Sequence, residues 1–160
     1  MAAAVGERIP EATLVKATAD GPQPVSTSEF FRGRTIALFA VPGAFTPTCS
    51  ARHLPGFLDH ADALRAKGID EIACVSVNDA FVMAAWARAA GVGDRVTMLA
   101  DGNGTFTEAM GLVLDASGFG MGKRSQRYSL VARDGVITHL FVEEGGQFQV
   151  SSAEHMLAQL

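Results

Sequence analysis

A single cysteine stands where two prolines and two threonines crowd together, in Pro42-Gly-Ala-Phe-Thr46-Pro47-Thr48-Cys49. Upstream, Thr35 to Val41 is a run of seven residues, six of them apolar, the pattern of a strand buried on both faces. Downstream, Leu54, Leu58, Ala61 and Leu64 recur at helical spacing. The cysteine is thus delivered to a strand-to-helix junction. Thr46-Pro47 predicts the helix start: threonine caps, and proline suits the first helical position, where its missing N–H is not needed. With Thr46 as cap, Cys49 is the third helical residue, whose N–H a capping hydroxyl accepts. The Thr46 hydroxyl is therefore expected close to the sulfur.

The reagent such a site offers is a thiolate. A helix N-terminus carries about half a positive charge, which favours thiolate over thiol. An ordinary thiol, with a pKa near ~8.5, is only a few per cent ionised at neutral pH. Each tenfold gain in thiolate needs about 1.4 kcal/mol, whereas a helix dipole contributes about 0.3–1 kcal/mol. A cation from elsewhere in the chain is expected to supply the difference. Lys123, Arg124 and Arg127 precede a late hairpin. Lys123 and Arg124 read as solvated loop charges, and no period or pairing singles out Arg127.

Cysteine can also be a small buried hydrophobe. Cys49 fits that description poorly, since Thr46, Pro47, Thr48, Ser50 and Arg52 surround it in sequence. Cys74 fits it well, in the apolar run Glu71-Ile-Ala-Cys-Val-Ser-Val77. The sharper alternative makes Cys74 a resolving thiol, which would require one segment to move until the two Cα atoms lie within about 7 Å. His53, four residues beyond Cys49 on the same helical face, invites a Cys–His hydrolase reading. In such enzymes base and nucleophile come from separate parts of the chain, and Pro55 disturbs the helix here. His60, His139 and His155 show no metal-ligand spacing, so no metal or other cofactor is expected. The glycine-rich stretch before Lys123 fails as a phosphate loop: Ser117 replaces the first glycine, and Arg124 replaces the Ser/Thr.

Other elements must position these residues. A short strand is expected within residues 11–18 and a turn at Gly21 to Pro24. The helix after Cys49 ends near Gly68 and is kinked or split at Pro55. Glu71 to Val77 is a second buried strand, and Asn78 caps a helix whose apolar face is Phe81, Val82, Ala85, Trp86 and Ala89. Val96 to Ala100 is a third strand, with a turn at Asp101 to Gly104 and a short helix around Phe106 to Met110. Gly111 to Gly122 reads as an irregular loop. Tyr128 to Ala132 and Val136 to Val142 flank Asp134-Gly135, a strong hairpin signal. A last helix starts near Ser151 or Ser152. Alternating strands and helices followed by a hairpin predict an α/β class with a mixed sheet, as one domain over residues 1–160.

A net charge of −4 gives no reason to expect nucleic-acid binding. No apolar run approaches the ~20 residues that span a bilayer. The start of the chain lacks the features of a secretory signal, so the cytoplasm is the default location unless a targeting segment has been removed. Two cysteines outside any C-x-x-C pair fit reduced thiols rather than a disulfide framework.

The spacing Pro42-x-x-x-Thr46-x-x-Cys49 resembles the active-site signature of peroxiredoxins. The longer text from Val41 through Phe57 is similar to the type II, peroxiredoxin-5-like branch. So are Val75-Ser-Val-Asn-Asp79 with Trp86, Leu99-Ala-Asp-Gly102, Arg124-Ser-Gln-Arg127-Tyr-Ser-Leu130 and Val142-Glu-Glu-Gly-Gly146. The resemblance covers nearly the whole chain from about Val5. It implies a thioredoxin-like fold and reduction of hydrogen peroxide and alkyl hydroperoxides. It also implies Cys49 as the peroxidatic cysteine, Arg127 as stabiliser of thiolate and leaving oxygen, Thr46 as hydrogen-bonding partner and Pro42 as a water shield. Some type II relatives place a resolving cysteine near the C-terminus, where this chain has Gln147-Phe-Gln-Val-Ser-Ser152, while others have one resembling Cys74. Either Cys74 resolves within the subunit, or an external thiol does, with glutathione and glutaredoxin ahead of thioredoxin. The branch also implies a non-covalent homodimer. A redox sensor or holdase that binds partner proteins is the alternative class.

Overall fold

The computed structural model describes residues 2–160. Its centre is the apolar run read first in the sequence, β3 (Thr35–Val41), six of whose residues are wholly buried. Alternation along β3 divides it between two layers. Ala37, Phe39 and Val41 join the layer that holds Cys49, whereas Ile36, Leu38 and Ala40 join the opposite one. β3 pairs in parallel with β4 (Glu71–Ser76), which pairs in parallel with β5 (Thr97–Ala100). On its other side β3 pairs antiparallel with β8 (Tyr128–Arg133), and β8 with β9 (Val136–Val142). β1 (Thr13–Thr18) and β2 (Gly21–Ser26) complete a seven-stranded mixed sheet in the order β2-β1-β5-β4-β3-β8-β9.

Helices cover both faces. α2 (Leu54–Asp59), α3 (Ala61–Ala66), α4 (Ala80–Ala90) and α6 (Ala153–Gln159) pack on the Cys49 layer. α1 (Thr27–Phe31) and α5 (Thr105–Met110) pack on the other, through Phe30, Phe31, Phe106 and Met110. The Asp134-Gly135 turn forms as expected, with both residues at positive φ (51° and 79°), the requirement of a two-residue hairpin.

Four expectations need correction. The Gly21–Pro24 segment is edge strand β2 rather than a turn; Pro22 and Pro24 are tolerated there because an edge strand has N–H groups with no ladder partner to lose. The glycine-rich loop contains a small antiparallel arm, β6 (Val113–Asp115) with β7 (Lys123–Ser125), so Arg124 is no free surface charge: it donates to the carbonyls of Met121 and Val77 at 2.9 Å each. The cap of α4 is Asp79, whose carboxylate accepts from Val82 N–H at 2.8 Å. Asn78 Oδ1 instead accepts from Ala44 N–H and Ser76 Oγ, tying the end of β4 to the loop that leads to Cys49. The inward face of α4 is Ala80, Met83 and Trp86, while Phe81 is 73% exposed.

The division of labour at 78 and 79 gives a test. Asp79→Ala is expected to cost about 1 kcal/mol in chemical denaturation without changing turnover. Asn78→Ala orphans the Ala44 N–H and the Ser76 hydroxyl, and is expected to lower both stability and turnover.

Candidate active site

Between β3 and α2 the chain passes through the Pro42–Cys49 segment. Position 43 is tight: a Cβ there would lie 3.1 Å from Thr46 Cγ2 and 3.2 Å from Met121 Cε, so either side chain would have to give by a few tenths of an ångström. Thr46 does begin the helical turn, since its carbonyl accepts from Ser50 N–H at 2.9 Å. Its hydroxyl, however, donates to the Gly43 carbonyl at 2.7 Å rather than accepting from Cys49 N–H. The expected contact from cap to cysteine is therefore replaced by one that closes the loop behind it.

Cys49 opens a π-helical turn, Cys49–His53, in which Leu54 N–H reaches back to the Cys49 carbonyl. The next residue, Pro55, explains the widening, because a proline ring in a regular helix collides with the carbonyl four residues earlier. The helix is split again at His60, whose backbone leaves the helical region between α2 and α3. Both Cys49 and His53 are wholly buried in this turn. Ser50 is tethered to α4, with Trp86 Nε1 donating to its Oγ at 3.1 Å.

Arg127 arrives from 78 residues away. The β3–β8 register pairs Ala40 with Tyr128, which sets the preceding residue, Arg127, at the end of β3 where the cysteine loop departs. Its Nη2 donates to Cys49 Sγ at 3.1 Å and its Nη1 to His53 Nδ1 at 2.9 Å. Arg127 is 8% exposed, and among the described residues no carboxylate forms an ion pair with it. Of the expected site residues, the structure brings Cys49, Thr46, Pro42 and Arg127 together. Pro42, Thr46 and Arg127 line a cavity of about 530 Å³ whose lining also includes Leu114, Ala116, Phe119 and Met121. Cys74 lies in the same buried layer, but in β4 beside Phe39, with a free thiol. Burial pushes that thiol well above its ordinary pKa, and negative charge on Cys49 pushes the same way against the weaker pull of Arg127.

The residue that sequence reasoning missed is His53. It was noticed as a neighbour of Cys49, yet its partners are Arg127 and the Ser151 carbonyl, which Nε2 meets at 2.9 Å. Burial first, and then the Arg127 charge, lower its pKa from an ordinary 6.5 to about 3, against the Ser151 hydrogen bond and the Glu143 charge. At Glu143, burial pushes the carboxyl up. Hydrogen bonds from Ser151 Oγ and from the N–H groups of Gln149, Ser151 and Val150 outweigh that and hold it below the usual range. Phe148 completes the cover: its ring meets that of His53 edge-on at 5.1 Å, with the Arg127 guanidinium carbon 5.8 Å from its centroid.

Between the folded and unfolded pKa values of His53 the unfolded chain binds more protons, so stability is full at neutral pH and falls on acidification. Glu143 acts in the same sense at lower pH, because its folded pKa is depressed. The thermal midpoint is expected to fall from about pH 6.5 towards pH 4, with His53 contributing at most about 1.4 kcal/mol per pH unit. His53→Gln is expected to flatten that slope. A level midpoint in the native protein would exclude a buried neutral imidazole.

The Redoxin family model matches residues 4–157. The chloroplastic Peroxiredoxin-2E-2 of Oryza sativa subsp. japonica is 55% identical over 98% of this chain and 72% of its own length. Peroxiredoxin-2C of the same species is 49% identical over 98% of both chains. Reduced Prx3 from Vibrio vulnificus, solved in complex with hydrogen peroxide, matches with a TM-score of 0.94 at 52% identity, covering 98% of each chain. Sheet order, helical layers and whole-chain similarity agree with the fold expected from the sequence. This chain belongs to the type II branch of the peroxiredoxins, thiol peroxidases of thioredoxin-like fold.

Proposed function

We propose that Cys49 is the peroxidatic nucleophile and that Arg127, Thr46 and Pro42 complete its site. The observation that carries this reading is the 3.1 Å contact of Arg127 Nη2 with Cys49 Sγ, made by a buried guanidinium that has no carboxylate partner among the described residues. The thiolate attacks the terminal oxygen of the hydroperoxide. A sulfur–oxygen bond forms as the O–O bond breaks, and the electron pair leaves on the second oxygen, which takes a proton and departs as water or an alcohol. Sulfur gives up two electrons and becomes a sulfenic acid. Fixed donors on Arg127 serve sulfur and leaving oxygen alike, which is preorganised electrostatic stabilisation of the transition state. The Thr46 hydroxyl, its proton committed to Gly43, acts as acceptor for the terminal OH. Pro42 excludes water from the sulfur.

The hydrogen peroxide bound by the Vibrio vulnificus relative supports that substrate here. The wall of Leu114, Ala116, Phe119 and Met121 supports alkyl hydroperoxides beside it, since an apolar tail gains by covering such a surface. For the recycling step we favour an external thiol, glutathione with glutaredoxin ahead of thioredoxin. It condenses with the sulfenic acid to a mixed disulfide and water, and a second thiol then releases Cys49. The burial of Cys74 and its raised pKa argue against its attacking the sulfenic acid. A homodimer is the proposed state, as the resemblance to the type II branch implies; Phe45 and Phe81, 52% and 73% exposed, are apolar side chains that such an interface would cover.

Peroxide consumption with a glutathione–glutaredoxin couple is expected to vanish in Cys49→Ser. In Arg127→Lys it is expected to fall about a hundredfold, because an ammonium cannot reproduce the planar fork of donors. Full turnover in Cys49→Ser would sink the assignment. Mass spectrometry after one equivalent of peroxide separates the recycling routes: wild type and Cys74→Ser are both expected to accept glutathione on Cys49 and to turn over alike. A wild-type product two hydrogens lighter, absent from Cys74→Ser, would make Cys74 the resolving thiol.

A further inference from the structure

One wholly buried group in contact with the site has no role in the chemistry described so far. His53 is the one hydrogen-bond partner of the Arg127 guanidinium besides the cysteine itself among the described residues. A guanidinium presents donors only, so a nitrogen facing it at 2.9 Å must accept, which requires Nδ1 to be unprotonated. A backbone carbonyl accepts only, so the nitrogen facing Ser151 O at 2.9 Å must carry the proton. Both contacts therefore demand the same species, a neutral imidazole with its proton on Nε2. No other tautomer or charge state satisfies both neighbours.

The carbonyl that selects this tautomer is itself held. Glu143 Oε2 accepts from the N–H groups of Gln149, Val150 and Ser151 and from Ser151 Oγ, all at 2.6 to 2.9 Å. Four donors on one carboxylate oxygen fix the backbone from 149 to 151 and hence the direction of the Ser151 carbonyl. Hydrogen bonds of fixed direction then run outward from Arg127, to the Cys49 sulfur on one side and through His53 and Ser151 to Glu143 on the other.

We propose that His53 is a positioning residue for Arg127: locked as the Nε2–H tautomer by the Glu143-fixed strap, it holds one guanidinium nitrogen so that the other is presented to Cys49. The proposal rests on the reading of Cys49 and Arg127 as the reacting pair. It separates His53 from a general base, since the imidazole hydrogen-bonds to the arginine rather than to the sulfur.

The test measures the single-turnover rate of Cys49 oxidation by hydrogen peroxide in four variants: His53→Leu, His53→Gln, Arg127→Lys and the double variant His53→Leu with Arg127→Lys. Misdirecting a transition-state donor by about 1 Å costs roughly a hundredfold, and His53→Leu is expected to lose ten- to a hundredfold. His53→Gln, which keeps one acceptor and one donor, is expected to recover most of the rate. Because His53 acts through Arg127, the double variant should be no slower than Arg127→Lys alone. Equal fold losses from His53→Leu in both backgrounds, or full activity in His53→Leu while Arg127→Lys is impaired, would overturn the proposal and leave the peroxidase reading intact. A wild-type rate in Arg127→Lys would instead sink the underlying reading. Nitrogen-15 spectra of the unmutated protein guard against a variant that fails to fold: the Nε2–H tautomer is expected, and an Nδ1–H tautomer would overturn the proposal outright.

Discussion

Burying a guanidinium removes its water, and the loss is tolerable only if fixed partners replace the hydration and an anion answers the charge. Arg127 meets this demand in an unusual way. Its donors reach a neutral imidazole and a thiol, its face lies near an aromatic ring, and among the described residues it has no carboxylate in an ion pair. Cys49 is thus the one group within hydrogen-bond reach that can take a negative charge. On the proposed reading the site couples two requirements, because the cation needs an anion beside it and the nucleophile must be one. A carboxylate placed against Arg127 would answer the first requirement and weaken the second.

The fold serves that coupling by bringing three remote segments to one end of the sheet. The parallel β3–β4 pair ends where the cysteine loop and Asn78 meet. The antiparallel β3–β8 register sets Arg127 at the same level. The strap after β9 returns over both, pinned by Glu143 and closed by Phe148. Apart from the Glu143 pin, which spans six to eight residues, these contacts join segments remote in sequence. The arm of β6 and β7, clamped by Arg124, adds apolar lining to the cavity that Arg127 and Thr46 also line.

Local signals were legible where one residue type has one physical use. The apolar run of β3, the Asp134-Gly135 turn and the Ser152 cap of α6 each follow from such chemistry. Cys49 stood out because polar and turn-forming neighbours are a poor setting for a core thiol. What could not be read is what only tertiary pairing decides. Asn78 and Asp79 are equally good caps, and the choice was made by Ala44, which needed an acceptor. Helix α4 is apolar on more than one side, so its sheet contacts rather than its period selected Met83 and Trp86. The partners of His53 lie 74 and 98 residues away, so proximity to Cys49 pointed to the wrong relationship.

The same strap bears on how the catalytic cycle is completed. Its segment occupies the region where some type II relatives carry a resolving cysteine, and here every backbone N–H from 149 to 151 is bound to Glu143. A segment fixed so that it can aim an arginine is not free to swing a thiol onto Cys49. Cys74 is no easier to bring up, because it belongs to a central strand paired on both sides. The element able to yield is the turn carrying Cys49 itself, already widened ahead of Pro55 and tied to α4 through one side-chain bond, from Trp86 to Ser50. In the proposed cycle the thiolate becomes a neutral sulfenic acid, and Arg127 then loses the anion beside it. On that reading, the contact that keeps Cys49 inward is weakest at the step where the proposed external thiol reaches it.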